Sequence, residues 1–415
     1  MGTFFYTIFL SLYVAGIKVL SFWNPKARLW TEGRKKFPAV NFTNNADTKI
    51  VWMHCASLGE FEQGRPVIEA VKRQYPAVKI VLSFFSPSGY EIQKNYAGAD
   101  AVFYLPVDSK ANAKKLIKNI NPSLVIWVKY EYWFYYLEEL KKQHIPLLLV
   151  SGIFRKSQPF FKWYGGKWKN ILASFTHFFV QDEASLKLLA SIGIDDNATV
   201  SGDTRFDRVI EIAEKFEHLP LIQKFCCDSK IIVAGSTWED DEAELIHYVR
   251  ANPKIKFIIA PHEIDAENLR DVQKEFAGSI FYTDLSASGQ LNGNVLIIDN
   301  VGILSRLYYY ADITYVGGGF GDDGVHNVLE AAVYGKPVIY GPEFEKFIEA
   351  VDLTNCGGGI SISSALDLEK ELSALWNNLE LLQTTGEAAK NYVYANAGAS
   401  KKIMDFIQEK RLLMS

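Results

Sequence analysis

Two series of short, continuously apolar runs constrain this chain more than any other feature. KIVWMHC (49–55), KIVLSFF (79–85), AVFYLP (101–106), LVIWVKY (124–130), PLLLVSG (146–152) and HFFVQD (177–182) form the first series. KIIVAGS (230–236), KFIIAP (256–261), VLIID (295–299), DITYVGGG (312–319) and KPVIYGP (336–342) form the second. Each run has the length of a strand, and amphipathic helical stretches separate the runs. The apolar residues follow one another without the alternation of a sheet that faces water on one side, so each strand is buried on both faces. Strands covered in this way by their own crossover helices build a parallel, doubly wound sheet, and two series predict two Rossmann-like α/β domains.

The length of 415 residues suits two such domains better than one core. With 48% hydrophobic and 22% charged residues, the chain is neither disordered nor fibrous. The first domain is expected over 48–215. A charged helical connection after Asp207, through Leu219 and Pro220, leads to a second domain over 216–385. Residues 386–415 read as a helical tail with no strand after it, expected to pack back on the first domain. Two sheets joined by one linker predict a cleft between them.

Ahead of the first strand, TFFYTIFLSLYVAGIKVLSF (3–22) is about as long as a bilayer-crossing helix. Residues 1–22 are therefore expected to anchor the chain in a membrane, with 23–47 as a linker that includes a polar stretch at 41–47. Lys26, Arg28, Arg34, Lys35 and Lys36 follow directly, a positive-inside signal that keeps the rest of the chain in the cytoplasm. A helix lying in the membrane interface is the other reading of the same residues.

Charge divides along the chain, with 27 Lys and Arg against 17 Asp and Glu up to residue 210, and 17 against 31 beyond it. A basic first half suits an anionic membrane or a phosphorylated lipid. No nucleic-acid-binding motif accompanies it, so nucleic acid is not expected as a partner. Cys55, Cys226, Cys227 and Cys356 have no C-x-x-C spacing and make no disulfide framework, which suits a reducing compartment. There is no H-E-x-x-H and no D-x-D, so neither a metal nor a cofactor is expected.

Candidate chemistry gathers where strand-like runs end. Glu60 closes Ser57-Leu58-Gly59-Glu60, at the carboxyl end of the first run and the start of a helix, where open α/β sheets bind ligands. One reading makes it an ordinary first-turn Glu that complements the helix dipole. The other makes it a base that takes a proton from an attacking hydroxyl. Gly317, Gly318 and Gly319 end another run, and Asn327, Val328, Leu329 and Glu330 are expected to open a helix whose N–H groups hold a phosphate, with Glu330 on a ribose diol. Ala234-Gly235-Ser236-Thr237 and Ala260-Pro261-His262-Glu263 are two further strand ends. The segment FRKSQPFFKWYGGKWKN (154–170) interleaves aromatics with cations, either as a lipid-docking surface or as a helix that buries its aromatics.

SLGE (57–60), Glu131-Tyr132-Trp133, SGDTRFD (201–207), VAGST (233–237), APHE (260–263), DNVGIL (299–304) and GVHNVLEAA (324–332) stand in one order and spacing. In that order they resemble the 3-deoxy-D-manno-octulosonic acid (Kdo) transferases of lipopolysaccharide and lipid A biosynthesis, over essentially the whole chain. The resemblance implies a GT-B glycosyltransferase fold. It also implies inverting transfer of Kdo from CMP-Kdo to a lipid A precursor, lipid IVA, at the cytoplasmic side of the inner membrane. Glu60 matches the family's proton acceptor, and Glu131 and Arg205 match positions that support the transition state. Pro261, His262, Val301, Gly302, Ile303, Asn327, Val328, Leu329 and Glu330 match the segments that hold CMP. The chain departs from the family pattern at Pro261-His262-Glu263, where many members read Pro-Arg-His, and at Val301-Gly302-Ile303, where many read Met-Gly-Glu. Another GT-B nucleotide-sugar enzyme, a UDP-sugar transferase or an epimerase, is the alternative within the fold, and a membrane-tethered binding protein without catalysis is the alternative outside it.

Overall fold

A computed structural model describes residues 2–40, 42, 48–288 and 293–414. The polar stretch at 41–47, Phe42 excepted, lies outside the described residues. The chain divides into two compact units, Met1–Arg208 with Ala397–Ser415, and Val209–Asn396.

Among the described residues of the first unit, one seven-stranded sheet contains β1 (Ile50–Cys55), β2 (Lys79–Phe84), β3 (Ala101–Tyr104), β4 (Leu124–Val128), β5 (Leu147–Gly152), β6 (His177–Val180) and β7 (Ala198–Val200). Their spatial order is β3-β2-β1-β4-β5-β6-β7, and every pairing is parallel. The order reverses between β1 and β4, which makes their carboxyl ends the place where such a sheet binds ligands. All six residues of β1 and all five of β4 are buried, as continuous apolar runs require. Side chains of alternate parity feed two cores. Trp52, Trp127 and Tyr136 belong to one, and Val51, Met53, Ile126 and Phe179 to the other.

The second core is closed by residues from the far end of the chain. The helix Ala399–Glu409 contributes Ile403, Met404 and Ile407 to it. Its N-cap is Gly398, which has no side chain to accept from the first-turn N–H groups. Asp207 takes that part, with Oδ1 accepting from the Gly398 N–H and Oδ2 from the Ser400 N–H, each at 2.6 Å.

In the second unit, β8 (Ile231–Thr237), β9 (Lys256–Pro261), β10 (Ile280–Phe281), β11 (Val295–Ile297), β12 (Ile313–Val316), β13 (Val338–Tyr340) and β14 (Gly359–Ser361) form another parallel sheet, seven-stranded among the described residues. Its order is β10-β11-β9-β8-β12-β13-β14, with the reversal between β8 and β12. The apolar runs of the sequence account for eleven of these strands. The other three, β7, β10 and β14, are two or three residues long and stand at sheet edges or beside them, partly exposed. Strands so short and so lightly buried leave no apolar run to read.

Before the first sheet, α1 (Gly2–Leu20) and α2 (Pro25–Gly33) lie against the first unit. Thr3–Leu20 is long and apolar enough to cross a membrane by length and composition. Asn24 caps α2 by accepting from the Ala27 N–H, and Pro25 takes the first helical position, where its missing N–H costs nothing.

Candidate functional site

In the first unit β1 runs directly into α3 (Leu58–Gln74) through Ser57, the N-cap, and Glu60 lies in the first turn of that helix. Glu60 is 8% exposed, and its Oε2 accepts from the Ala56 N–H at 2.5 Å. Burial pushes its carboxyl up to about 7. The Ala56 N–H opposes that shift, the negative charge of Glu131 adds to it, and Lys129 and the Tyr130 N–H oppose it. A first-turn Glu serving only the helix dipole sits in water and stays ionised. This one is removed from water and holds its proton near neutrality, which is what a general base at neutral pH needs.

Glu131 follows β4, the strand beside β1. Its Oε2 accepts from Trp133 Nε1 at 2.9 Å and lies 2.8 Å from His54 Nε2. His54 is fully buried, and its Nδ1 is 2.9 Å from Ser83 Oγ, which also accepts from Trp52 Nε1 at 2.8 Å. These contacts form one chain from Trp52 to Glu131. Trp52 donates to Ser83, and the His54 ring stands between the Ser83 hydroxyl and the Glu131 carboxylate, with one ring nitrogen on each. The sheet register builds this relay, since His54 pairs with Ser83 across β1 and β2, and with Trp127 across β1 and β4.

Arg205 stands in the first turn of the helix Thr204–Glu214. Its Nε and a terminal nitrogen reach Asp203 Oδ2 at 2.8 and 2.7 Å, and its backbone N–H donates to Asp203 Oδ1 at 2.9 Å. Gln63 and Gln181 also donate to Asp203. Burial alone would raise the Asp203 carboxyl, but the charge and hydrogen bonds of Arg205 outweigh it and hold Asp203 below the usual carboxylate range. Burial raises the Tyr130 hydroxyl, with the charges of Arg155 and Arg205 opposing that shift and those of Glu60 and Asp203 adding to it.

In the second unit, the reversal between β8 and β12 brings the Ser236-Thr237 end beside Gly317 and Gly318. The glycines here serve the protein's own backbone. A Cβ at Gly317 would strike the Ser236 carbonyl oxygen, and Gly318 has φ +90°. Asp241, fully buried, holds the turn by accepting from the Gly318 N–H at 2.7 Å, the Trp238 N–H at 3.0 Å and the Tyr315 hydroxyl at 2.7 Å.

Beside this turn the Trp238, His262 and His326 rings lie in a stack, 4.6 Å between the first two centroids and 4.4 Å between the last two. Trp238 Nε1 donates to His326 Nε2 at 2.9 Å, which leaves the proton of that ring on Nδ1. Burial, then His262, lowers His326 to about 4. Burial also lowers His262, against the opposing charges of Glu263 and Asp323.

The other CMP candidates divide by exposure. Val301 is 79% exposed, Gly302 has φ +92°, and Ile303 is buried. The helix expected to open at Asn327 is one turn, Leu329–Ala332, and Asn327 precedes it. Asn327 Oδ1 accepts from the Leu329 N–H at 3.3 Å, and its amide donates to Glu330 at 3.0 Å. Val328 and Leu329 are fully buried, so these two present backbone rather than side chain. The aromatic and basic segment at 154–170 also divides. Phe154 and Phe160 enter the core, while Trp163 is 97% exposed. His54, Ser83, Trp238 and Asp241 were not singled out from the sequence, and only Trp238, one residue past the VAGST run, lies next to a residue that was.

Among known proteins, a Haemophilus influenzae 3-deoxy-D-manno-octulosonic acid transferase is 26% identical, with 98% of this chain and 98% of that protein covered. A bifunctional glycosyltransferase/methyltransferase of Fusobacterium nucleatum is 26% identical over 81% of this chain, which spans about half of its length, 54%. Among solved structures, the UDP-GlcNAc 2-epimerase of Neisseria meningitidis superimposes with a TM-score of 0.57 at 17% identity, over 87% of this chain and all of that one. That likeness concerns the fold, and the two parallel-sheet α/β units are those of the GT-B class. The family profile described as 3-deoxy-D-manno-octulosonic-acid transferase (kdotransferase) matches residues 22–208, the stretch that carries Glu60, Glu131 and Arg205. By that profile and by relatives aligned along most of its length, the chain is similar to the 3-deoxy-D-manno-octulosonic acid transferases.

Proposed function

We propose that this chain transfers Kdo from CMP-Kdo to a lipid A precursor, lipid IVA, with inversion, on the cytoplasmic side of the inner membrane. The observation that carries the reading is Glu60, a buried carboxyl raised to about 7 where the first sheet reverses, in a chain similar to the Kdo transferases. In the proposed step Glu60 takes the proton of the attacking sugar hydroxyl. The hydroxyl oxygen bonds to the anomeric carbon of Kdo as the bond from that carbon to the CMP phosphate breaks, and CMP departs with the bonding pair.

Glu131 has two roles in this reading. Its charge raises the proton affinity of Glu60, and it stabilises positive charge developing on the sugar ring. Arg205, held by Asp203, supplies positive charge toward the departing phosphate. Pro261, His262, Val301, Gly302, Ile303, Asn327, Val328, Leu329 and Glu330 hold CMP, with Val328 and Leu329 acting through backbone groups.

The test is turnover of purified full-length chain with CMP-Kdo and lipid IVA, read by mass spectrometry of the lipid product. Glu60→Gln is expected to lower kcat by about 10³-fold while CMP affinity stays within about twofold. Undiminished turnover in Glu60→Gln, or tighter binding of UDP than of CMP, would overturn the proposal.

A further inference from the structure

The apolar helix α1 does not leave the protein. Thr3, Tyr6, Leu10, Val14, Ile17 and Ser21 recur at helical spacing and form its covered stripe, with Leu10 buried and the others half-buried. The stripe is held at several points along the helix. The Tyr6 hydroxyl donates to Asp108 Oδ2 at 2.7 Å, and the Tyr6 ring meets those of Phe134, Tyr135 and Trp168 at about 6 Å. Thr7 and Tyr135 share a hydrogen bond of 2.7 Å. Tyr13 packs on Trp30 and Phe85, and Trp30 of α2 is itself buried. Asp108 is 4% exposed, and its remaining partners are the Tyr135 and Tyr136 N–H groups.

The opposite face carries Phe4, Phe5, Ile8, Phe9, Leu12, Val19 and Leu20, each at least 40% exposed, and Phe22 and Trp23 beyond the helix are more than 60% exposed. Thr7 donates to the Thr3 carbonyl or to Tyr135, Ser11 to the Thr7 carbonyl, and Ser21 to the Lys18 carbonyl. Exposed cations flank the face at Lys18, Lys26, Arg28, Lys35 and Lys36. A contiguous apolar face this large, bordered by aromatics and cations, fits the headgroup and acyl boundary of an anionic bilayer.

We infer that α1 lies in the plane of one leaflet, apolar face down and polar stripe on the protein, and does not span the bilayer. A spanning α1 would extend about 28 Å through hydrocarbon. It would have to pull Tyr6 from Asp108, leaving a buried carboxylate short of one donor and a hydroxyl unpaired in lipid, each at a cost of order 1–3 kcal/mol. If instead the contacts were kept, the first unit would enter the bilayer with its charges. The in-plane arrangement keeps every contact and buries the apolar face. This goes beyond the transfer reaction and does not depend on it, because the test reads topology and not turnover.

The experiment adds one cysteine ahead of Met1 of the full-length chain and binds it to the outside of phosphatidylethanolamine/phosphatidylglycerol vesicles. A membrane-impermeant maleimide is applied before and after detergent. Cys227 and Cys356, both exposed, report the side on which the second unit stands. The expected result is that the added cysteine labels before detergent to the same extent as Cys227 and Cys356. Labelling of Cys227 and Cys356 with the added cysteine protected until detergent is added means that the helix spans, and overturns the inference. In a second arm, Phe5→Glu with Phe9→Glu, both residues 63% exposed, should lower vesicle partitioning at least about tenfold without unfolding the protein. Unchanged partitioning overturns the assignment of this face.

Discussion

His54 Nε2 lies 2.8 Å from Glu131 Oε2, with the imidazole fully buried and the carboxylate only partly so. Together with Trp133, which donates to the same oxygen, it points Glu131 along one direction from the end of β4. His54 touches no proposed substrate group and acts through Glu131, so it is a positioning residue. Replacing it with Leu removes a hydrogen bond to a charged acceptor, worth about 1.5–3 kcal/mol, and kcat should fall roughly 10–100-fold. Ser83→Ala, which breaks the relay one link earlier, should cost only a few-fold. Steady-state kinetics with KM for the donor unchanged in both variants is the check, and a rise in donor KM with unchanged kcat would refute the assignment.

Glu60 carries a pH signature in activity and in stability. Its carboxyl titrates near 7 in the folded chain against an ordinary value of 4.5, so turnover should rise with pH through about 7 as the base form accumulates. Stability should run the other way. The raised value favours the folded state fully below pH 4.5, and that contribution is lost as pH rises through 7, by up to about 3 kcal/mol. Glu60→Gln, with no charge to bury, should therefore melt higher than the parent at pH 8 and close to it at pH 5. Thermal denaturation at the two pH values measures the difference.

Asp203 predicts the opposite sign. Arg205 holds its carboxyl below the usual range, so this pair contributes stability above the ordinary carboxylate value and loses it as pH falls. Arg205→Ala leaves a buried carboxylate with Gln63 and Gln181 as its remaining side-chain donors and should destabilise the chain by about 3 kcal/mol at pH 7. Asp203→Asn in the same chain should recover part of that loss. Chemical denaturation of the single and double variants tests the coupling.

The stacked rings of Trp238 and His262 at the end of β8 and β9 offer a flat surface where the proposed nucleotide binds. Trp238→Ala should weaken CMP binding about tenfold, the loss of roughly one aromatic contact, with little change in the melting temperature. Calorimetric titration with CMP reads it directly, and an unchanged Kd would remove Trp238 from the site.

Asp207 should matter to the fold rather than to catalysis. It supplies the cap that Gly398 lacks, and Asp207→Ala should cost about 1–2 kcal/mol. Limited proteolysis should then cut ahead of the helix Ala399–Glu409 sooner than in the parent, and Asp207→Asn should restore much of the protection.

Much of this arrangement is legible in the residues, and the part that is not has physical causes. Fully buried strands announce themselves, because covering both faces of β1 and β4 leaves room for nothing but an apolar run. Edge strands such as β7, with exposed Thr199, carry no such obligation. Glu60 stands out because it lies in the first turn of the helix that follows β1. His54 does not, because it sits inside that same run, and its meaning depends on Ser83 arriving opposite it in the register of β1 and β2. Gly317 illustrates a third limit. The sequence pattern suggests backbone kept open for a ligand, whereas the space is filled by the Ser236 carbonyl, a contact between segments 81 positions apart.

The helix Ala399–Glu409 also sets an order of events during synthesis. Ile403, Met404 and Ile407 complete a core that begins at Val51, and the whole of the second unit is translated between them. While that unit emerges from the ribosome, α3 already covers Met53, but Phe179, whose ring meets Phe406 of the last helix, remains on a sheet face whose cover is incomplete. The nascent chain therefore carries an unprotected apolar surface while the second unit is made, during which a chaperone has something to hold.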